Sequence, residues 1–300
     1  MKAIVFDRHG GPTVLQLTEV AVPEPGRGQV RIRVRAAGVN PIDGKLRAGG
    51  GWPIELPSTP GVEGAGVVDA VGPDTDGFAV GDEVLGHTAT GSYAQFALSD
   101  RVVPKPAGLS WDVAAAVPVA AETALRVLRL LDLSPGETLL VHGASGSVGS
   151  LAGQLARRRG VTVVGTAGAA GRDRLGRLGV TAIAYGDGLV DRVRSVAPHG
   201  VDAVFDAAGR GALPDSIALR GGPERIVTIA DPNAAEYGVL FTGGSEVMVE
   251  PAAIAEVAKQ VAAGDLTVPI AARYQLADAA EAQRLSDTGH AGGKIVLTVD

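Results

Sequence analysis

Cysteine is absent from the 300 residues. Disulfides, thiolate catalysis and every zinc site with a Cys ligand are therefore excluded. Histidine is scarce and scattered, at positions 9, 87, 142, 199 and 290, with no metal-ligand spacing. Aromatic residues are only 4%. No run reaches the roughly 18 apolar residues that a membrane-spanning helix needs, and no membrane partner is expected. Met1–Asp7 is apolar too briefly for a signal peptide and reads as a first strand, which makes the cytoplasm the expected location. Positive charge is not in excess: 27 Lys and Arg face 33 Asp and Glu, a net charge of −6. That balance argues against nucleic acid as a partner, while leaving room for a local basic patch that meets a phosphate.

What the chain has in abundance is glycine, 43 residues, with no collagen-like period. Many tight turns and close backbone approaches follow. The first third reads as strands. Between Gln29 and Ala37, Val30, Ile32 and Val34 alternate with Arg31, Arg33 and Arg35. This is a strand with one buried face and one wet face, the Arg stripe being either solvated or a nucleic-acid patch. Short strands are expected at Gly64–Val71, Glu83–Gly86, Ser92–Ala97 and Arg101–Val103, the mark of a small β-barrel domain.

The pattern changes near Trp111. A helix over Val119–Leu131 is followed by alternating strands and helices. Strands are expected at Thr138–His142, Val161–Thr166, Ala182–Tyr185, Val201–Asp206 and Arg225–Ile229. Helices are expected at Gly146–Arg159, Arg172–Leu178 and Val190–Val196. Such alternation predicts a parallel sheet covered on both faces. A helix at Pro251–Ala263 is expected to close that unit, and a tail with a helix (Leu276–Ser286) and a strand (Lys294–Val299) to return to the first domain.

Gly143, Gly146 and Gly149 stand three apart, after an apolar strand and at the start of a helix. In that context they form a dinucleotide-binding turn. Gly143 permits the tight turn, Gly146 admits a pyrophosphate to the backbone, and Gly149 lets helix and strand approach. Ser145, Ser147 and Val148 complete the loop, whose N–H groups face the phosphates. A purely structural βα turn is the alternative. NAD-binding folds place an acid about 20 residues on, against the ribose hydroxyl. Here that place is Thr166-Ala167-Gly168, 19 residues beyond Gly149 at its end, with no acid before Asp173. Arg172 follows and can grip a 2′-phosphate, or be a solvated helix residue. NADPH is the expected cofactor.

These residues resemble the zinc-independent quinone oxidoreductase branch of the medium-chain dehydrogenase/reductase superfamily, the zeta-crystallin-like enzymes. The likeness spans Ala36–Asp43, Pro60–Val68, Gly81–Val84, Gly91–Phe96, the glycine turn and Gly293–Leu297. It implies an α/β fold: a Rossmann doubly wound parallel sheet over residues 116–264, plus a GroES-like β-barrel catalytic domain from residues 1–115 and 265–300, with NADPH in the cleft. It also implies a homodimer. Zinc-using relatives carry Cys and His where this chain has Asn40 and Val62, so no catalytic metal is expected. Asn40 and Asp43 match an Asn-x-x-Asp motif at the active-site mouth, and Thr123 a Thr facing the nicotinamide. Tyr185 matches a Tyr near the 2′-phosphate. Ala207, Ala208, Ile229, Ala230, Phe241 and Thr242 fall at cofactor-lining strand ends. Trp52 stands where a Tyr is frequent, and Glu122 where a Leu is usual, which bears on substrate shape.

No metal, thiol or Ser-His-acid arrangement points to hydrolytic or covalent catalysis. Hydride transfer needs less, because the cofactor carries the chemistry and the fold supplies position. A quinone or an α,β-unsaturated carbonyl is the expected substrate, with the Asn40 amide available to a developing oxyanion. The alternatives are an enoyl reductase of a polyketide or acyl pathway, or a non-catalytic NADPH-binding sensor.

Overall fold

The structure, a computed structural model, describes residues 1–50, 53–243 and 249–300. Contacts divide the chain into two compact units, Met1–Val119 with Glu250–Asp300, and Ala120–Val249. The first opens with β1 (Lys2–Val5) and β2 (Gln16–Glu19), an antiparallel pair. It continues with β3 (Val30–Val39), α1 (Pro41–Arg47), β4 (Glu63–Val71), β5 (Glu83–His87), β6 (Phe96–Ser99), β7 (Arg101–Pro104) and α2 (Trp111–Ala116). The long helix α3 (Pro118–Leu131) follows.

The second unit contains β8 (Thr138–His142), α4 (Ser147–Arg158), β9 (Thr162–Thr166), α5 (Ala169–Arg177), β10 (Thr181–Ile183) and α6 (Leu189–Val196). It goes on through β11 (Ala203–Asp206), α7 (Leu213–Arg220), β12 (Ile226–Thr228) and β13 (Leu240–Phe241). The chain then returns to the first unit with α8 (Pro251–Ala262), β14 (Ile270–Gln275), α9 (Ala279–Asp287) and β15 (Lys294–Thr298).

In the first unit the strands run β14-β15-β3-β4-β5-β7, with β6 also paired to β3. Val30, Ile32 and Val34 turn inward, each at most 2% exposed. On the other face, Arg31 and Arg33 both pair with Asp69 of β4 and lie over the Phe96 ring, while Arg35 is exposed. The strand expected at Ser92–Ala97 starts later, at Phe96. The N–H groups of Ser92 and Tyr93 go instead to the Gly61 and Pro60 carbonyls, both at 3.1 Å. The tail returns as expected, β15 lying between β14 and β3. Helix α8, expected to close the second unit, groups with the first and packs against β7.

In the second unit all ladders are parallel and the order is β10-β9-β8-β11-β12-β13. Numbered within the unit this is 3-2-1-4-5-6, the doubly wound Rossmann arrangement, whose ligand crevice opens at the strands' carboxyl ends where the order reverses. That point lies between β8 and β11, so the loops after His142 and Asp206 are the ones positioned for a ligand.

Candidate functional site

The loop after β8 uses its three glycines for three different reasons. Gly143 has φ +70°, a left-handed conformation, and a Cβ there would meet Ala207 and Ala208 at 3.3 Å. A Cβ on Gly149 would stand 2.5 Å from the Gly143 carbonyl oxygen, so the helix could not approach the strand. A Cβ on Gly146 would meet nothing closer than the Gly143 carbonyl at 3.4 Å. Internal packing therefore does not require glycine at 146, whereas a phosphate approaching the backbone does. Gly146 is the N-cap of α4 and offers no side-chain cap. The first-turn N–H groups of Ser147, Val148 and Gly149 are thus presented to an anion. The residues present fit a dinucleotide pyrophosphate.

A chain of side-chain hydrogen bonds braces this turn. The Ser216 hydroxyl donates to the Ala212 carbonyl at 2.6 Å, so it accepts from His142 Nε2 at 3.0 Å. His142 Nδ1 then accepts from Thr166 Oγ1 at 3.5 Å, and Thr166 Oγ1 accepts the Gly143 N–H at 3.3 Å. Burial holds the His142 imidazole below its usual pKa, which favours the neutral ring this chain requires. Thr166 is 2% exposed, so it shapes the turn from beneath.

Beyond Thr166, Ala167 is buried and Gly168 is the N-cap of α5. Tyr185, 59% exposed, brings its ring within 3.9 Å of where a Gly168 side chain would begin. Arg172 is exposed on the first part of α5 and, among the described residues, holds no hydrogen bond or ion pair. Arg174, which the sequence reading did not single out, donates to the Ser145 carbonyl and ties α5 to the glycine turn.

The other half of the crevice is organised by a buried acid. Asp206 ends β11 and accepts the N–H groups of Ala208 at 2.9 Å and Gly209 at 3.0 Å. It also takes the Thr228 hydroxyl at 2.8 Å, and Thr228 Oγ1 accepts the Ala230 N–H at 3.1 Å. Ala207, Ala208, Ile229 and Ala230 are thereby brought together on adjacent loops. Thr242, 1% exposed, hydrogen-bonds through its N–H to the Thr228 carbonyl at 3.0 Å, and Phe241 beside it is 43% exposed. Thr123 on α3 joins the same group indirectly: it contacts Glu122, Glu122 holds Arg126, and Arg126 donates to Thr242. The charge at Glu122 is balanced within its own helix.

In the first unit, Asn40 and Asp43 meet at the start of α1. One Asp43 oxygen accepts the Asn40 N–H and the Tyr93 hydroxyl, each at 2.9 Å, while the other has no partner. Burial pushes the Asp43 carboxyl up to about 7, against the opposing pull of those hydrogen bonds and of Lys294. The Asn40 amide is fixed at both ends. Its nitrogen donates to Glu63 at 2.8 Å and its oxygen accepts from Lys294 at 2.6 Å. Lys294, 2% exposed, also pairs with Glu63, which is fully buried. The second Glu63 oxygen accepts the Val119 N–H at 2.7 Å. A Cβ on Gly38 would fall 2.3 Å from Glu63, so β3 is glycine where the carboxylate passes. Lys294, Glu63 and Tyr93 were not among the expected site residues. Trp52 lies outside the described residues.

Among the described residues, no group of three or more His, Cys, Asp or Glu is arranged to hold a metal ion. A cation bound by Asn40 and Glu63 would have to displace the Lys294 ammonium.

Two family models match the chain, the alcohol dehydrogenase GroES-like domain over residues 26–117 and the zinc-binding dehydrogenase over residues 178–297. The quinone oxidoreductase of Lama guanicoe is 33% identical, over 99% of this chain and 97% of that one. The 2-methylene-furan-3-one reductase of Solanum lycopersicum is 32% identical, over 99% of this chain and 79% of the relative. The crystal structure of Escherichia coli quinone oxidoreductase complexed with NADPH matches with a TM-score of 0.89 at 25% identity, covering 99% of this chain and 100% of that one. Nearly full-length likeness, a doubly wound sheet and a GroES-like domain together show that the chain belongs to the quinone oxidoreductase branch of the medium-chain dehydrogenase/reductase superfamily.

Proposed function

We propose that this protein is an NADPH-dependent reductase of quinones or α,β-unsaturated carbonyls that works without a catalytic metal. The observation that carries the reading is the glycine turn. Gly146 keeps the backbone bare before an uncapped helix at the switch point of the sheet, and no acid stands between the end of β9 and Asp173. Arg172 and Tyr185 are both exposed near the start of α5, and on this reading they meet the 2′-phosphate. The E. coli relative was crystallised with NADPH, and the tomato relative's name describes an α,β-unsaturated ketone.

When bound, the dihydronicotinamide supplies the hydride. The chain's own part is binding, orientation and charge stabilisation. Reduction of an enone or quinone leaves negative charge on a carbonyl oxygen. Asn40 spends one Nδ2–H on Glu63 and has a second to give such an oxygen. Asp43 fixes the Asn40 backbone.

Single-turnover reduction with C4-deuterated NADPH, across a panel of quinones and enones, tests the proposal. Deuterium should appear in enone products. No label in any enone, together with no NADPH oxidation by any quinone, would leave a sensor as the better reading. Arg172→Ala should weaken NADPH by roughly five- to a hundredfold through lost charged hydrogen bonds and leave NADH almost unchanged. Equal wild-type affinity for the two cofactors would refute the NADPH preference.

A further inference from the structure

Glu122 and Arg126 form a buried ion pair one turn apart on α3, their side chains 13% and 4% exposed. The guanidinium spends Nε (2.8 Å) and Nη2 (3.3 Å) on Glu122, and turns Nη1 to the Thr242 hydroxyl at the end of β13. The same carboxylate has a second client. Thr123 Oγ1 lies 3.2 Å from Glu122 Oε2. A carboxylate accepts hydrogen bonds and does not donate them, and a hydroxyl has one proton. The Thr123 proton is therefore directed to Glu122, and the Thr123 oxygen is left with lone pairs to offer a ligand.

Arg126 anchors this acceptor to the end of β13. In a 3-2-1-4-5-6 sheet one nucleotide of the cofactor sits over the first three strands and the other over the last three, here β11, β12 and β13. With the adenosine half assigned to the Arg172 and Tyr185 side, the nicotinamide half falls on the side where Thr242 and Thr123 lie. We propose that Glu122, acting through Thr123, makes this end of the site select a primary carboxamide by its N–H. This rests on the NADPH reading above. Glu122 is a positioning residue, and Thr123 is the specificity-determining contact. A ring bearing an acetyl group in place of the carboxamide has nearly the same shape but offers a methyl where the N–H should be.

The test is isothermal titration of the full-length protein with NADP⁺ and with its 3-acetylpyridine analogue. The wild type should prefer the carboxamide form by about tenfold, as one well-formed hydrogen bond is worth. Thr123→Val, nearly isosteric, should bring that preference to within about twofold, and Thr123→Ser should retain it. Glu122→Gln can donate to Thr123 and free its proton, so it too should erase the preference. Glu122→Gln combined with Arg126→Met serves if the single variant does not fold, with melting curves as the control. A pair that only stabilises α3 would shift melting temperature and leave the preference untouched. A wild type that binds both forms equally, or a folded Thr123→Val that still discriminates tenfold, overturns the inference alone. Discrimination without any NADPH oxidation overturns only the reductase reading, and binding of neither form overturns both.

Discussion

Asp43 sits where a neutral carboxyl is favoured over a charged one. It is 1% exposed, with two hydrogen bonds on one oxygen and none on the other, and burial raises its pKa from 3.8 to about 7. A raised carboxyl pKa means that between these values the folded state holds a proton the unfolded state has lost. Stability from this group is full below about pH 4 and falls as pH rises through 7. Asp43→Asn keeps an oxygen for the Asn40 N–H and the Tyr93 hydroxyl but cannot ionise. Urea unfolding should show the wild type losing roughly 2–3 kcal/mol between pH 5 and 8 relative to this variant. Parallel pH profiles for the two proteins would remove the assigned titration. The resemblance placed Asn40 and Asp43 together, as a match to an Asn-x-x-Asp motif. It did not reveal what holds them. Tyr93 is 50 positions from Asp43 and Lys294 is 254 from Asn40, separations at which no local pattern exists.

The elements that carry the nucleotide turn were the easiest to read. Strand β8 occupies the expected residues and α4 starts one residue from the expected place, because an apolar run followed by glycine and then a helical period leaves little choice. Other elements give no such signal. Helix α1 has seven residues with Pro41 and Gly44 among them, and depends on the Asp43 cap and on Arg47 reaching Gly10 and Asp287. Strand β13 has two residues, and β14 alternates half-buried with exposed positions, so its pairing with β15 defines it. Helix α7 hides behind a Gly-rich approach and Pro214. The turn itself supplies the prediction at this scale. A methyl on Gly149 would collide with the Gly143 carbonyl at 2.5 Å and Ala144 Cα at 3.0 Å, both backbone, so no rotamer change relieves it. Gly149→Ala should destabilise by about 1–3 kcal/mol and weaken NADPH further by displacing α4 from β8. Gly176→Ala, in open space on α5, is the matched control and should be neutral or slightly stabilising. Equal behaviour of the two variants in thermal unfolding and NADPH titration would show that close approach at Gly149 is not required.

At the scale of the molecule, the two units differ in how the chain builds them. Residues 120–249 are continuous, and their sheet packs its own apolar cluster, including Leu140, Val164, Val193, Val204, Leu213 and Ile226. The first unit is assembled from both ends of the chain, with β15 inserted between β14 and β3 and Lys294 closing the network around Asn40. The return of the tail was legible from the tendency of chain ends to pack near each other, but the placement of α8 was not, since an amphipathic helix does not declare which sheet it will cover. This asymmetry has different consequences for the two halves. A fragment Pro118–Val249 contains every proposed cofactor contact, so it should melt cooperatively and bind NADP⁺ while reducing no quinone, lacking Asn40. Removing Lys294–Asp300 exposes partners of Ile295, Val296, Leu297 and Val299, all at most 4% exposed in the intact chain. Each contributes about 1.5–3 kcal/mol by burial, a sum comparable with the roughly 5–15 kcal/mol net stability of a domain. Calorimetry of the truncated protein should therefore lose the transition of the first unit and keep that of the second, with NADP⁺ still raising the surviving transition. A truncated chain that melts as the intact one does would mean that the first unit does not need its returning strand, and a fragment with no cooperative transition would mean that the second unit draws its stability from the first and not from its own sheet.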